Sequence, residues 1–260
     1  MNYTIPKNLL STNNAKTVKG EKKGYTTYIM YLSPFTQNSK GINLCSHASE
    51  GCAKACLFGS GAARFDRVQA GKVNKTEYFL ADRSAFLAQL DKEISSIVAK
   101  HSKDNSKFAI RLNGTSDIRF EKFKIRDNKN IFELYPTVQF YDYTKNYLRF
   151  DVELPSNYQL TFSLSETNRD KAIELLGRGV NVAMVFGVKD ESELPSTYLG
   201  YTVVNGDESD LRFLDPKNVI VGLKYKYLTG KGTKGANKDN LENNDFIIDV
   251  SKIEALKKVA

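Results

Sequence analysis

Tryptophan is absent from the 260 residues, histidine occurs twice and cysteine three times. No apolar run approaches the ~18 residues that a membrane-crossing helix requires. Met1 to Leu10 lacks the long apolar stretch of a signal peptide. A protein of the cytoplasm is therefore expected. An odd cysteine count in that compartment argues against a disulfide framework and toward ligation or catalysis.

What is present allows a sizeable core. Apolar residues make up 41 % of the chain, enough for one large domain or two small ones. No repeat and no linker divides it. The formal charge is +8, which favours a polyanionic partner, either a nucleic acid or an anionic, nucleotide-like substrate.

All three cysteines lie in one stretch, Cys45-Ser-His-Ala-Ser-Glu-Gly-Cys52-Ala-Lys-Ala-Cys56. Thiolates are soft ligands that suit zinc or iron–sulfur clusters. Three readings stay open. The thiols hold a 4Fe–4S cluster with one iron left for a substrate or S-adenosylmethionine. Alternatively, Cys45, His47, Cys52 and Cys56 close a tetrahedral zinc site. In the third reading the thiols are free.

Residues 1–24 read as a flexible N-terminal arm, and 25–260 as one domain. Tyr25 to Phe35 is aromatic and β-branched, hence a strand. Residues 77–100 carry apolar side chains at spacings of three and four, which predicts an amphipathic helix. Short apolar runs follow at 108–112, 137–141, 159–163, 181–186, 201–204 and 218–223. A helix is predicted over 168–178, with Gly177 and Gly179 at its end. Further short helices fit 117–135 and 190–199. The Gly/Asn/Lys-rich stretch 229–244 reads as a mobile loop, and FIIDV after it as a strand. Strands alternating with helices predict a complete or partial (β/α) barrel, with a doubly wound sheet as the alternative.

Such folds carry chemistry at the carboxyl ends of their strands. The candidates there are Arg111, Asp142, Tyr143 and Lys145 for catalysis. Asn113, Asp117, Glu166, Asp207, Asp210 and Arg212 are candidates for cofactor binding. Arg111 and Asp142 stand out, because a charge within an apolar run is costly unless paired. His101, at a helix end, suits the helix dipole and reads as structural.

Three cysteines after the first strand and before the first long helix resemble the layout of the radical S-adenosylmethionine enzymes. The segments LCSHASEGCAKACLFGSG, RLNGTSDIRFE, VQFYDYTK and GDESDLRFLDP resemble an uncharacterised phage-encoded gene-product family with a three-cysteine loop. Together the two resemblances imply a phage-encoded iron–sulfur enzyme acting on nucleic acid or a nucleotide, with S-adenosylmethionine as co-substrate. Tyr143 beside Lys145 suggests an alternative: a metal-stabilised DNA-binding or nicking protein of phage replication, with a tyrosine nucleophile. His47 and His101 are too far apart in sequence to supply the paired histidines of such nickases.

Overall fold

The computed structural model describes residues 3–12, 20–21, 23–56, 60–228 and 231–252. One mixed sheet of ten strands organises them. In chain order these are β1 (Leu10–Ser11), β2 (Tyr25–Met30), β3 (Lys107–Arg111), β4 (Gln139–Thr144), β5 (Tyr158–Ser163), β6 (Val182–Phe186), β7 (Thr197–Tyr198), β8 (Tyr201–Asn205), β9 (Ile220–Lys224) and β10 (Ile247–Ile248). The helices are α1 (Glu50–Lys54), α2 (Asp66–Ala81), α3 (Arg83–Asp104), α4 (Ile131–Leu134), α5 (Arg169–Gly177) and α6 (Thr233–Asn243).

Strands β2 to β6 lie side by side in chain order, all parallel, and β9 and β8 continue the sheet. Antiparallel β1 forms one edge and β7 the other. The sheet is therefore open among the described residues: of the complete or partial barrel expected from the sequence, the complete form is not found.

Helices α2 to α5 gather on one face, while α1 and α6 pack around Val185 on the other. Tyr28, Met30, Ile110, Leu112, Phe140, Tyr158 and Leu160 pack with Phe86, Leu87, Leu90 and Ile94 of α3. Phe162, Val182, Met184 and Phe186 pack with Ala172, Leu175 and Leu176 of α5. These strand residues are all even-numbered, as a period of two requires. The odd-numbered face carries Ala109 and Tyr141 under Leu211, together with Arg111, Tyr143 and Thr161.

Three local readings change. The helix predicted over 77–100 belongs to two helices. Asp82 ends α2, and its carboxylate accepts from Ala85 N at 2.9 Å to cap α3. Apolar periodicity runs through such a cap without registering it. Within 229–244, residues 233–243 form α6 rather than a loop; positions 229–230 lie outside the described residues. Of the N-terminal arm, Leu9 and Leu10 are buried, and their amides donate to the Glu93 carboxylate. Met1, Asn2, 13–19 and 22 of that arm lie outside the described residues.

One junction matters for the site. Along one side β6 pairs with β9 over its whole length. Its other side is shared: β5 pairs with Val182 and Ala183, and β10 with Val185 and Phe186. Strands β5 and β6 thus part company toward their carboxyl ends, and β10 takes up the edge that β5 leaves.

Candidate functional site

The cysteine loop sits above this junction. Glu166, just beyond β5, accepts from Ser49 Oγ and from Gly51 N, each at 2.6 Å. Asn244, on the approach to β10, donates to Gly51 O at 3.0 Å. Cys52 packs against the cluster of Ala55, Tyr225, Phe246 and Ile247. Gly51 is required by space: a Cβ there would collide with the Asn244 side chain and the Glu166 carboxylate. The other end of the loop is tied to the segment after β3. Asp117 N donates to Leu44 O at 2.8 Å, and Cys45 Sγ lies 3.5 Å from Thr115 O.

The three thiols share one neighbourhood. Burial pushes the Cys45 thiol up to about 12; a backbone hydrogen bond from Phe35 opposes this, while the charges of Cys56, Asp117 and Cys52 add to it. Lys72 is also close to Cys56, and its ammonium lies 5.6 Å from the centre of the Tyr31 ring. His47 is exposed and bonded to Ser46 Oγ at 3.0 Å. Among the described residues no group of three or more His, Cys, Asp or Glu side chains is placed to hold a metal ion. The thiols are neighbours without being drawn into ligation geometry.

Beneath the loop lies a buried charge network. Arg111 Nη1 donates to Asp210 Oδ2 at 2.8 Å, and its guanidinium stacks 4.7 Å from the Tyr143 ring centre. Asp142 lies 4.0 Å from Arg111 Nε. It accepts from Asn113 N at 2.7 Å, Asn113 Nδ2 at 3.1 Å and Tyr158 OH at 2.9 Å. Burial still dominates and raises the Asp142 carboxyl to about 6, against the pull of Arg111. Burial also holds the Tyr143 hydroxyl well above its ordinary range. Arg212 joins the group through Tyr143 and Asp210, and pairs with Asp215 at 3.2 Å.

Thus Arg111, Asn113, Asp142, Tyr143, Asp210 and Arg212, named from sequence, meet in one network. Asp117 and Lys145 meet beside it: Asp117 Oδ2 accepts from Lys145 N at 3.0 Å, and Lys145 Nζ donates to Ser163 Oγ at 2.9 Å. Glu166 belongs to the thiol loop. Asp207 serves the end of β9, accepting from Lys224 N and pairing with Lys226, each at 2.7 Å.

Sequence reasoning missed Tyr31 and Arg149. Burial pushes the Tyr31 hydroxyl up to about 12, with Arg111 opposing and Asp210 adding to the rise, so it borders the network. Gly114 lets the chain after β3 run against Tyr31, since a Cβ would stand 2.6 Å from the Tyr31 ring and from Met30 O. Arg149 is 0 % exposed and forks between Asp117 Oδ1 at 3.1 Å and Glu121 Oε2 at 2.9 Å, with Tyr158 OH at 2.8 Å.

In class, this is an α/β protein with an open parallel sheet. At its carboxyl ends a three-thiol loop lies over buried arginines, acids and tyrosines. The chain matches the Gene product 88 family over residues 8–240 and belongs to it, in keeping with the phage gene-product resemblance of its motifs. No curated protein and no solved structure matches it. No helix among the described residues is long and apolar enough to cross a membrane.

Proposed function

We propose that the protein is a phage-encoded, iron–sulfur, radical S-adenosylmethionine-like enzyme acting on nucleic acid or a nucleotide. Cys45, Cys52 and Cys56 are its cluster ligands. One observation carries this reading: the three thiols are neighbours in a loop that is anchored beyond the strand ends, at Ser49 and Gly51 by Glu166 and Asn244 and at Cys45 by Thr115. In this reading the open sheet is a partial barrel, because β2 to β6 follow one another with the long helices α2, α3 and α5 on one face.

The donor set fits. The Cys45 thiol is costly to ionise alone, and a bound cation would reverse that balance. Three thiolates leave one iron of a 4Fe–4S cluster without a protein ligand. When bound, such a cluster supplies an electron to S-adenosylmethionine. The chain's own residues bind and orient. Arg111, fixed by Asp210 and Tyr143, faces an anionic group. Lys145, beside Ser163, offers a second cation. Asp142 and Asp210 hold the arginine rather than meeting substrate directly.

The test is anaerobic purification with metal and sulfide analysis. Wild type should be brown, with about four irons and matching acid-labile sulfide per chain, and Cys52→Ala should lose most of both. With dithionite and S-adenosylmethionine, wild type should release methionine and 5′-deoxyadenosine. Stoichiometric zinc in place of iron, or neither metal, would overturn the proposal.

A further inference from the structure

An antiparallel bridge between Ser60 and Leu228 brings two basic segments side by side. Residues 60–75 carry Arg64, Arg67, Lys72 and Lys75 against one acid, Asp66. Residues 226–238 carry Lys226, Lys231, Lys234 and Lys238 and no acid. Arg64, Arg67, Lys231, Lys234 and Lys238 are exposed. Two large aromatic side chains sit among them in water, Phe65 at 53 % and Tyr227 at 41 % exposure. The Arg64 guanidinium lies 4.9 Å from the Phe65 ring centre. Tyr227 borders an open cleft of about 450 Å³ with Lys234, Asn237, Lys238 and Leu241. The surface adjoins the thiol loop. Three residues separate Cys56 from Ser60, and Tyr225, two positions from Tyr227, packs in the cluster that Cys52 abuts.

We propose that this surface is a track for single-stranded nucleic acid, which leads the strand past the thiol loop. The proposal rests on the reading that the site acts on nucleic acid or a nucleotide, and it names the form. Arginines and lysines take the phosphates, and Phe65 and Tyr227 stack bases. A duplex keeps its base faces covered, whereas a single strand can lay them on exposed rings. Lys226 pairs with Asp207 and Lys238 with Glu242, so the phosphate contacts fall to Arg64, Arg67, Lys231 and Lys234, a set that disfavours a basic partner and suits a polyanion.

The test is fluorescence anisotropy with a labelled thymidylate oligomer of about 16 nucleotides, beside a duplex of the same length, over about 50 to 200 mM salt. The oligomer should bind more tightly than the duplex and weaken with salt. Phe65→Ala with Tyr227→Ala should lower affinity at least about tenfold and leave the salt slope unchanged. Arg64→Ala with Arg67→Ala should flatten the slope by about 0.7 per lost contact. Iron content is measured on the same preparations and should match wild type in both surface variants. Iron-free protein that still binds the oligomer in this pattern would sink the cluster reading alone. Iron-loaded protein that ignores the oligomer, prefers duplex, or binds it equally well without Phe65 and Tyr227 would overturn the track.

Discussion

Arg149 shows what a single buried charge does here. Its guanidinium joins Asp117 and Glu121, and Asp117 in turn holds Thr144 Oγ1 and Lys145 N. Breaking a buried pair by removing one partner strands the other charge. Arg149→Met should therefore cost about 3–5 kcal/mol, read from urea unfolding, and adding Glu121→Leu should recover part of the loss. Asp142 makes a prediction of opposite character. Its folded carboxyl titrates near 6, against 3.8 ordinarily. Between those values the folded state holds the proton more tightly than the unfolded chain, so its contribution to stability falls as pH rises through the window. An Asn cannot titrate. The stability advantage of wild type over Asp142→Asn should be largest below pH 4 and should shrink by pH 7, in urea titrations at both extremes. An advantage that grows with pH would show that Asp142 is a stabilised anion.

At the scale of elements, α1 is only five residues long, and the contacts around it fix its position. Ser49 caps it while also donating to Glu166. Gly51→Ala places a methyl group where Asn244 and Glu166 lie, so α1 must lift and carry Cys52 with it. Iron retained after reconstitution should fall by more than half, while the urea midpoint moves little, because the large core clusters lie elsewhere. These contacts join residues more than a hundred positions apart, and no local sequence pattern announces them. The α2–α3 break escaped notice for a related reason. Periodicity reports which face is apolar, whereas a cap is one side chain accepting from one amide.

At the scale of the molecule, the sharing of the β6 edge between β5 and β10 opens the site. Ile247 is buried, and Gly187 N donates to Ile248 O at 2.9 Å. Ile247→Asp should release β10, since an unpaired carboxylate cannot stay in an apolar cluster. Hydrogen exchange should then accelerate at 185–187, while β2 to β4 keep their protection. Equal loss throughout would mean that the sheet unfolds as one unit.

Sequence alone determined the parallel α/β class, the positions of β2 to β6 and β8 to β10, the thiol loop and most of the charged residues that meet at the strand ends, but not β1, within the expected arm, or β7, within an expected helix. Those follow from local rules: alternation along a strand, three-four spacing along a helix, the cost of a charge in an apolar run. Tertiary structure decided that the sheet stays open, that Arg149 is the buried clasp, that 233–243 is helical and that β10 completes the β6 edge. Each depends on which distant segment occupies a given space or hydrogen-bonding edge, and such pairings are set by packing among residues far apart in the chain.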